Sequence, residues 1–452
     1  MKNSAIQDPE WYPLYPEDWK LGRVKTAIES FDSGVWGEDP YDDDTSTPVI
    51  RSNELDEGGN WRVTTPALRL LSSSEREQAR LREGDLLIVK SSGSHAHIGK
   101  SAVVTKEIED LGSCFSNFTG RIRVLPCRAN SRFLWYFLNN SPGRDQLFYY
   151  GTTTTGLINL SAKSIGVGIF ALPPLQEQLR VVAYLDASCA AIDAAVAAKR
   201  GQLETLDALS LAVIHQAVTR GINVTVKLRP SGMDWLSEVP EHWQVQQIKR
   251  TCEIVRGKFT HRPRNDPAFY DGEYPFVQTG DITAAQKYIR TYSQTLNDLG
   301  LSVSKTFPRG TLVMSIAANI GDVAILDFEA CFPDSMVGLI PRHKTDLNFL
   351  YYMMRAMKGI MLRSAVISTQ LNLNNVRIGN NFAAFPPVKE QKVIGEYLDA
   401  KEQESLAVKE TLNKQIATLT AYRKSLIHEC VTGQRRITEA DVQRAQNKRS
   451  PT

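Results

Sequence analysis

The sequence PPLQEQLRVVAYLDA at residues 173–187 returns as PPVKEQKVIGEYLDA at residues 386–400, an offset of 213 residues. The same offset, without a gap, aligns further pairs: Asn159-Leu160 with Asn372-Leu373, Ile214-His215 with Ile427-His428, and Val218-Thr219 with Val431-Thr432. Farther upstream the repeat survives with changes in loop length: PVIRSNEL (48–55) matches PFVQTGDI (275–282), GDLLIV (84–89) matches GTLVMS (310–315), and FLWYFL (133–138) matches FLYYMM (349–354). The chain is therefore one unit of roughly half its length, present twice.

Each copy of the Pro-Pro motif begins a long helix. Pro174 lies where proline is tolerated, in the first helical turn. Eleven positions from Val182 to Ala217 recur in steps of three and four, and nine of them are apolar, which is typical of a coiled-coil seam. The span from Leu175 to Thr219 predicts a helix about 65 Å long that ends at Gly221.

The second helix is less regular. Only five of its eleven equivalent positions hold Leu or Ile, and Leu406, Val408 and Tyr422 beside them indicate that the apolar stripe shifts face. Because a helix this long cannot bury its stripe alone, we expect the two helices to pack antiparallel along much of their length. The alternative is that each helix packs only on its own globular segment.

The two globular segments read as mixed α/β. Strand-like runs bounded by glycine, at residues 85–89 and 311–314, and aromatic helix-like runs recur in both copies. We therefore predict an α+β chain with a pseudo-two-fold internal repeat, in which two similar α/β domains are separated by two long antiparallel coiled-coil helices. The predicted boundaries are 1–172 and 223–385 for the domains, 173–222 and 386–445 for the helical spacers, and 446–452 for a tail.

Composition favours a soluble cytoplasmic protein. Apolar residues make up 42% and charged residues 23% of 452 residues, and the six cysteines form no CxxC pair, which favours a reducing compartment. The first eleven residues lack the apolar core of a signal peptide. The most apolar stretch, 181–198, contains Asp186 and Asp193, which argues against a membrane span.

Charge is unevenly distributed along the chain. Residues 1–172 carry 19 Lys and Arg against 22 Asp and Glu, whereas residues 223–385 carry 18 against 14. A protein that coats nucleic acid through overall positive charge is excluded, so any contact must come from local patches.

One candidate patch is the loop KSSGSHAHIGKS (90–101), between two predicted strands. Its donors, acceptors and two cations suit contact with phosphates and base edges, and its spacing does not fit a GxxxxGK[ST] nucleotide loop. The candidate contacts are Lys90, Ser91, Ser92, Ser94, His95, His97 and Lys100. A solvated hairpin loop is the alternative, and the equivalent loop 316–322 has lost the cations.

The second patch is RGKFTHRPR (256–264), which places four fixed positive charges in nine residues and suits a phosphate clamp. Its candidate contacts are Arg256, Lys258, His261, Arg262 and Arg264, with a solvated face as the alternative. The corresponding residues 38–44 are acidic and would repel phosphate; a solvated turn is a better interpretation of them than a metal site. Further polar candidates complete the set: Arg51, Gln278, Thr279 and Asn319.

Catalytic signatures are missing from the sequence. No GxSxG, Walker or HExxH pattern is present, and His95 and His97 have no Cys or carboxylate at ligand spacing. We therefore predict neither a catalytic residue nor a metal site, and we expect the chain alone neither to cleave nor to methylate nucleic acid.

The two Pro-Pro motifs, each preceded by Asn-Leu and followed by a long helix, resemble the specificity subunits of type I restriction–modification enzymes. The segment SGMDWLSEVPEHW (231–243) resembles the start of a target-recognition domain in that family. The resemblance covers essentially the whole chain and includes its internal duplication.

The resemblance implies a function and a set of partners. Two target-recognition domains would each read one half of a bipartite double-stranded DNA site. The helices would separate them and dock two methyltransferase (modification) subunits, and restriction subunits would join the complex. Methylation of adenine N6 and ATP-driven cleavage would belong to the partners, so S-adenosylmethionine, ATP and Mg²⁺ are expected in the complex and no cofactor in this chain. Differences in loop length and charge imply two different half-sites.

Two other functions remain open from the residues. A non-catalytic coiled-coil scaffold without DNA specificity would show no salt-dependent DNA binding. An enzyme in its own right would need a nucleotide-binding or metal-binding motif of a kind that the sequence lacks.

Overall fold

The structure is a computed structural model that describes residues 15–40, 46–63, 65–154, 156–233, 235–317, 319–364, 366–367 and 371–447. Most of the predicted acidic run and of the predicted tail 446–452 lie outside these residues. The chain divides into two compact units, the first formed by residues 1–199 and 414–452 and the second by residues 200–413. Both boundaries fall inside the long helices, because each helix packs on one globular segment with its first half and on the other with its second half.

We call the described residues of 1–172 the first head. Its main sheet is antiparallel, in the order Ile28–Ser33, Thr119–Val124, Leu86–Val89, Ser101–Val103. The other strands are Lys20–Arg23 with Ile169–Leu172, Ala67–Arg69 with Thr47–Ile50 and Cys114–Phe115, and Thr152–Thr154 with Leu157–Asn159 and Ser91–Ser92. The helices are Ser73–Gln78, Lys106–Asp110, Ser131–Asn139, Gly143–Tyr150 and Ala162–Gly166, with 3-10 turns at Val24–Thr26 and Ser52–Glu54.

We call the described residues of 223–385 the second head, and it repeats this plan. Its main sheet has the order Cys252–Arg256, Met336–Pro341, Leu312–Ser315, Val323–Leu326, Tyr288–Ile289. The other strands are Leu228–Met233 with Leu236–Pro240, Gln244–Gln247 with Phe382–Phe385, Val366–Ile367 with Leu371–Asn372, and Gln294–Leu296, Tyr270–Phe276, Ala330–Cys331 and Thr306–Phe307 in one sheet. The helices are Thr279–Ala284, Asp298–Ser302, Leu347–Ala356, Lys358–Ser364 and Asn375–Asn380, with 3-10 turns at Ile248–Arg250 and Pro267–Phe269.

Both predicted strand runs and both predicted aromatic helices are confirmed. The four residues of Leu86–Val89 and of Leu312–Ser315 are all buried, as expected for central strands without a polar face. The aromatic helices begin at side-chain caps, since Asn130 accepts from the N–H of Phe133 and Asp346 from that of Phe349.

The repeated glutamine of the Pro-Pro motif joins each long helix to its head. The buried Gln178 donates to the carbonyls of Arg128 at 3.1 Å and Pro173 at 2.9 Å, and accepts from the N–H of Asn130 at 2.8 Å. Gln391 makes the same three bonds, to the carbonyls of Lys344 and Pro386 and from the N–H of Asp346. The sequence repeat therefore corresponds to a repeated set of buried hydrogen bonds.

Two long helices are present, Leu175–Arg220 and Val388–Thr432. Each is followed by a glycine with a φ of +77°, Gly221 and Gly433, a conformation that favours glycine. All eleven predicted seam positions of the first helix are buried or half-buried. In the first unit Asp193 pairs with Arg423 at 2.9 Å, and Lys199 donates to Gln415 at 2.6 Å. The residue numbers rise along the first helix while those of the partners fall along the second, so the two helices run antiparallel.

The second unit has the same antiparallel pairing. There Asp207 pairs with Lys409, and the hydroxyls of Ser210 and Ser405 lie 3.0 Å apart. The expected antiparallel packing of the two helices is confirmed within each unit.

The expectation that the stripe of the second helix shifts face is wrong. Its eleven seam positions, polar ones included, are all buried or half-buried, whereas Val408 and Tyr422 are each 49% exposed. Lys409, Ser405 and Arg423 keep their seam positions because the first helix supplies a partner for each. A polar seam residue with a partner costs little, since its hydrogen-bonding groups stay satisfied.

Of the described helices, Leu175–Arg220 is long and apolar enough to cross a membrane by length and composition, with a mean hydropathy of 1.6 in its most apolar window. The apolar residues on one face of this helix lie in the protein core, where Leu185 is 0% and Ile192 9% exposed. Asp186 accepts a hydrogen bond from the hydroxyl of Tyr136 at 2.7 Å, and Asp193 has its arginine partner. The helix is therefore a core helix.

Candidate nucleic-acid interface

Matching backbone hydrogen bonds give a residue-by-residue correspondence between the heads. The N–H of Leu160 donates to the carbonyl of Lys90 at 2.7 Å, and that of Leu373 to the carbonyl of Ile316 at 3.1 Å. Likewise Ser33 pairs with Gly120, and Arg256 with Val337, at the same end of the equivalent strand pair. Lys90 thus corresponds to Ile316, and Ser33 to Arg256.

The two predicted cationic clusters therefore begin at the same end of the strands in the two equivalent sheets, and we call this end the sheet edge. In the first head Lys90 reaches across this edge and donates to the Ser33 hydroxyl at 2.8 Å. In the second head the cation stands at the Ser33 position, as Arg256, while the Lys90 position holds a fully buried isoleucine. The heads present positive charge at the same edge from different strands.

Lys90 and its neighbours form a polar surface on which Lys90 is the charged side chain. Burial lowers the pKa of the Lys90 ammonium. The carbonyl of Phe118 accepts from the N–H groups of both Lys90 and Ser91, and the Phe118 ring beside them is 48% exposed. The Ser91 hydroxyl donates to the side chain of Asn159 at 2.6 Å, because Ser91–Ser92 forms a short strand against Leu157–Asn159. The predicted loop is thus partly a strand.

The rest of this loop turns back on itself. The Ser92 hydroxyl accepts from the N–H of Ser94, and that of Ser94 accepts from the N–H of Ala96. The exposed His95 ring lies over Phe148, with 4.1 Å between centroids, and Phe148 is itself 37% exposed. Half-buried His97 has a buried Nδ1 for which the described residues offer no partner. Hydroxyls and aromatic edges at this surface are groups that contact bases and sugars.

Lys100 does not belong to this surface. It is 3% exposed, and its ammonium donates to the carbonyl of Leu55, so burial lowers its pKa. Lys100 fixes the end of the loop to the neighbouring segment and cannot reach a ligand in this conformation. Its assignment as a contact residue stays a prediction, and the structure gives Lys100 a structural contact instead.

Arg51 and Gln278 occupy corresponding cap positions. The N–H of Arg51 donates to Glu54 and that of Gln278 to Asp281, at the start of Ser52–Glu54 and of Thr279–Ala284. The Arg51 guanidinium also pairs at 3.0 Å with Glu54, whose side chain is 3% exposed. Its charge is therefore paired with a buried carboxylate, while the Arg51 side chain itself is 38% exposed.

The remaining second-head candidates lie in two places. Half-buried Thr279 begins the helix Thr279–Ala284, and the exposed Asn319 donates to the Thr283 hydroxyl at 3.1 Å. The Gln278 side chain donates to Gln294 at 2.9 Å. The loop 256–264 lies apart in sequence, and its exposed Lys258 has an ammonium with no ion pair to any described residue.

The other basic side chains of that loop have partners. His261 lies 3.0 Å from Asp266 and stacks on Phe269 with 3.8 Å between centroids. The guanidinium groups of Arg262 and Arg264 both pair with the Asp334 carboxylate. Asp334 is a residue that sequence reasoning misses, since it lies 70 positions beyond Arg264 and no local pattern marks it.

No cluster of three or more His, Cys, Asp or Glu suited to a metal ion occurs among the described residues. The interface is thus one of hydroxyls, aromatic rings and guanidinium groups, which can bind a nucleic acid by hydrogen bonds, stacking and charge.

Comparisons with known proteins show which sequences the chain resembles. Residues 240–418 match the family model described as type I restriction modification DNA specificity domain. A putative type I restriction enzyme specificity subunit, MjaX, from Methanocaldococcus jannaschii is 22% identical over 441 residues, 93% of this chain and 95% of its own. The EcoKI specificity subunit of Escherichia coli K12 is 24% identical over 229 residues, 50% of this chain and 48% of its own.

Solved structures share the fold. A chain from a study of complex assembly and conformational transition of the type I R-M system has a TM-score of 0.73 at 18% identity, covering 93% of this chain and 100% of that one. The HsdS subunit of Thermoanaerobacter tengcongensis has a TM-score of 0.53 at 17% identity, covering 93% and 98%. The chain is therefore similar in sequence and in fold to specificity subunits of type I restriction–modification enzymes.

Proposed function

We propose that this chain gives a type I restriction–modification complex its DNA sequence specificity, with each head reading one half of a bipartite site. One observation carries the proposal: the buried hydrogen bonds of Gln178 and Gln391, and the backbone bonds of Lys90 and Ile316, match between the two heads, while the exposed groups nearby differ. Two heads with the same buried structure and different exposed groups suit recognition of two different DNA sequences, because specificity lies in surface loops on a constant scaffold.

The long helices are the element that would set the half-site spacing and dock two methyltransferase subunits, which restriction subunits would join. The chain is the non-catalytic subunit of such a complex. Adenine methylation with S-adenosylmethionine, and cleavage with ATP and Mg²⁺, would then be activities of those partners, acting in the cytoplasm.

The first head offers the clearest test of base reading. Replacing Lys90 by alanine in the complex with methyltransferase subunits should cost about 1–3 kcal/mol on the half-site read by the first head, if the ammonium meets a base edge. The measurement is the pattern of methylated adenines together with the affinity for duplexes altered in one half at a time.

Lys106→Ala is the matched control, because Lys106 is an exposed lysine of the same head that pairs only with Glu109 and Asp110 on its own helix.

The second head is tested through its arginines. Replacing Arg262 and Arg264 together by alanine should weaken binding to every sequence and flatten the salt dependence by about one unit per lost phosphate contact. Unchanged methylation and salt dependence in both variants would show that the contacts lie elsewhere.

A further inference from the structure

Three arginines of the second head converge on one aspartate. The Arg264 guanidinium donates to Oδ1 of Asp334, and Nη2 of Arg262 lies 3.5 Å from Oδ2. Nε of Arg256 donates to the backbone carbonyl of Asp334 at 2.8 Å. The carboxylate therefore lies at the centre of the charge that was predicted to clamp phosphate.

Folding stability is a poor explanation for this arrangement. The side chains of Arg262 and Arg264 are 51% and 47% exposed, and that of Asp334 is 33% exposed. Ion pairs with this much water around them contribute little to stability. The same exposure leaves the guanidinium groups accessible to another anion, and a phosphodiester offers them the same kind of paired oxygen acceptors as a carboxylate.

Other contacts hold the loop without Asp334. Nη1 of Arg262 donates to the carbonyls of Phe259 and His261, each at 2.7 Å, and the Tyr270 hydroxyl donates to the carbonyl of Arg264. The stack of His261 on Phe269 fixes the centre of the loop. The Asp334 side chain can therefore leave the arginines while the loop keeps its shape.

The first head lacks both charges of this arrangement. Matching bonds, from Val35 N–H to the Phe115 carbonyl and from Lys258 N–H to the Phe332 carbonyl, place Asn117 at the Asp334 position. The Arg256 position holds Ser33. Arginine and aspartate thus occur together in one head, and the other head has neutral residues at both positions.

We infer that in the free protein the Asp334 carboxylate occupies the position at which a DNA phosphate binds, and that a phosphate of the bound duplex displaces it. This inference rests on the proposed function. The carboxylate lowers the affinity of the second head for DNA of any sequence, because each binding event must separate it from Arg262 and Arg264 and leave a negative charge near the phosphate. Asp334 is in this sense a residue that restrains non-specific binding.

The test compares Asp334→Asn, which gives the second head the amide of the first, with Asp327→Asn in the full-length chain. Asp327 is a matched control because it also joins two arginines of the second head, Arg290 at 3.2 Å and Arg309 at 2.6 Å, and its replacement changes the net charge equally. With a labelled duplex of mixed sequence, Asp334→Asn should raise affinity about tenfold at low salt and steepen the salt dependence by about one unit, against less than about twofold for Asp327→Asn.

A third measurement tests whether the gain in DNA affinity depends on Arg262 and Arg264. In a chain with Arg262 and Arg264 replaced by alanine, Asp334→Asn should no longer exceed the control. Equal effects of the two aspartate variants, or a gain that survives without the arginines, would overturn the inference. Asp334→Ser, which also removes the charge, serves if the asparagine variant unfolds. A wild-type complex that binds no duplex would overturn the proposed function itself.

Discussion

The first and second units share a buried framework but are completed by different parts of the chain. In the second unit the helix carboxylate Glu390 lies 2.8 Å from the ring of His242 and accepts from the indole N–H of Trp243 at 3.1 Å, and both residues come just before the strand Gln244–Gln247. In the first unit the corresponding Glu177 pairs with Arg436 at 2.8 Å, from beyond the second long helix. Trp19 is the counterpart of Trp243, because YPEDW (15–19) matches VPEHW (239–243), and its buried indole N–H has no partner among the described residues.

The difference arises from how the duplicated unit is divided. Each unit contains the first half of one long helix and the second half of the other. The hairpin Leu228–Met233 with Leu236–Pro240 comes after the first helix and belongs to the second unit, whereas Glu439–Asn447 comes after the second helix and belongs to the first. The first unit is therefore closed by residues that are more than 250 positions from its own helix carboxylate.

Removing that closing segment should have the largest effect. A chain that ends at Gly433 loses Arg436 and the buried Ile437, Val442 and Ala445 from the core of the first unit. We expect the free energy of unfolding of the first unit to fall by about 4 kcal/mol or more, and that of the second to stay unchanged.

Hydrogen exchange resolved by peptide can monitor the two units separately in this variant. Arg444→Ala is the mild control, since this side chain is 73% exposed and pairs only with Asp441 on its own helix. Equal loss of protection in both units would contradict the claim that this segment completes the first unit alone.

The two motif glutamines should have equal, intermediate effects. Gln178→Ala and Gln391→Ala each remove three hydrogen bonds and leave buried backbone groups without a partner, at a cost of about 2–3 kcal/mol to the unit concerned. Gln216→Ala, at an exposed position of the first long helix, should change stability by less than about 0.5 kcal/mol. Thermal unfolding of the three variants is the measurement, and a large effect at only one glutamine would contradict the equivalence of the units.

Cysteine reactivity should distinguish the units with almost no energetic effect. Cys127 is the exposed cysteine, and the other five are buried. Burial raises the pKa of Cys114 and Cys189 to about 11 and that of Cys252 and Cys430 to about 12. Since the thiolate is the reactive form, these thiols stay protonated and inert near pH 8.

Iodoacetamide should therefore add one group per native chain, at Cys127 in the first unit, without changing the unfolding temperature. Mass spectrometry of the digested protein checks the position, and Cys127→Ser should abolish the reaction. Alkylation of Cys252 in the native protein would mean that the core of the second unit opens.

The sequence repeat predicted the buried contacts of the two heads well, because residues that are identical in both copies are buried and have the same partners. Gln178 and Gln391 are one example. The aspartates of the two YLDA segments are another, since Asp186 and Asp399 each accept from a helix tyrosine, Tyr136 at 2.7 Å and Tyr352 at 2.6 Å. Local spacing also predicted the seam of the first helix.

The candidate interface was predicted less well, because the partner of a charged residue is rarely its neighbour in sequence. Lys100 was predicted from its loop and is buried, and Arg51 was predicted from its charge and neutralises Glu54. Asp334 carries no local signal, although its carboxylate pairs with both Arg262 and Arg264. The polar seam of the second helix was wrongly predicted for the same reason, since its partners lie about 200 residues earlier.

The closing segment of the first unit also fixes an order of synthesis. All residues of the second unit, 200–413, have left the ribosome before the first unit receives residues 414–447. The head that is translated first must therefore wait for the last part of the chain, with its helix carboxylate Glu177 unpaired, while the later head can already fold. A chain released early would therefore contain one complete unit, the second.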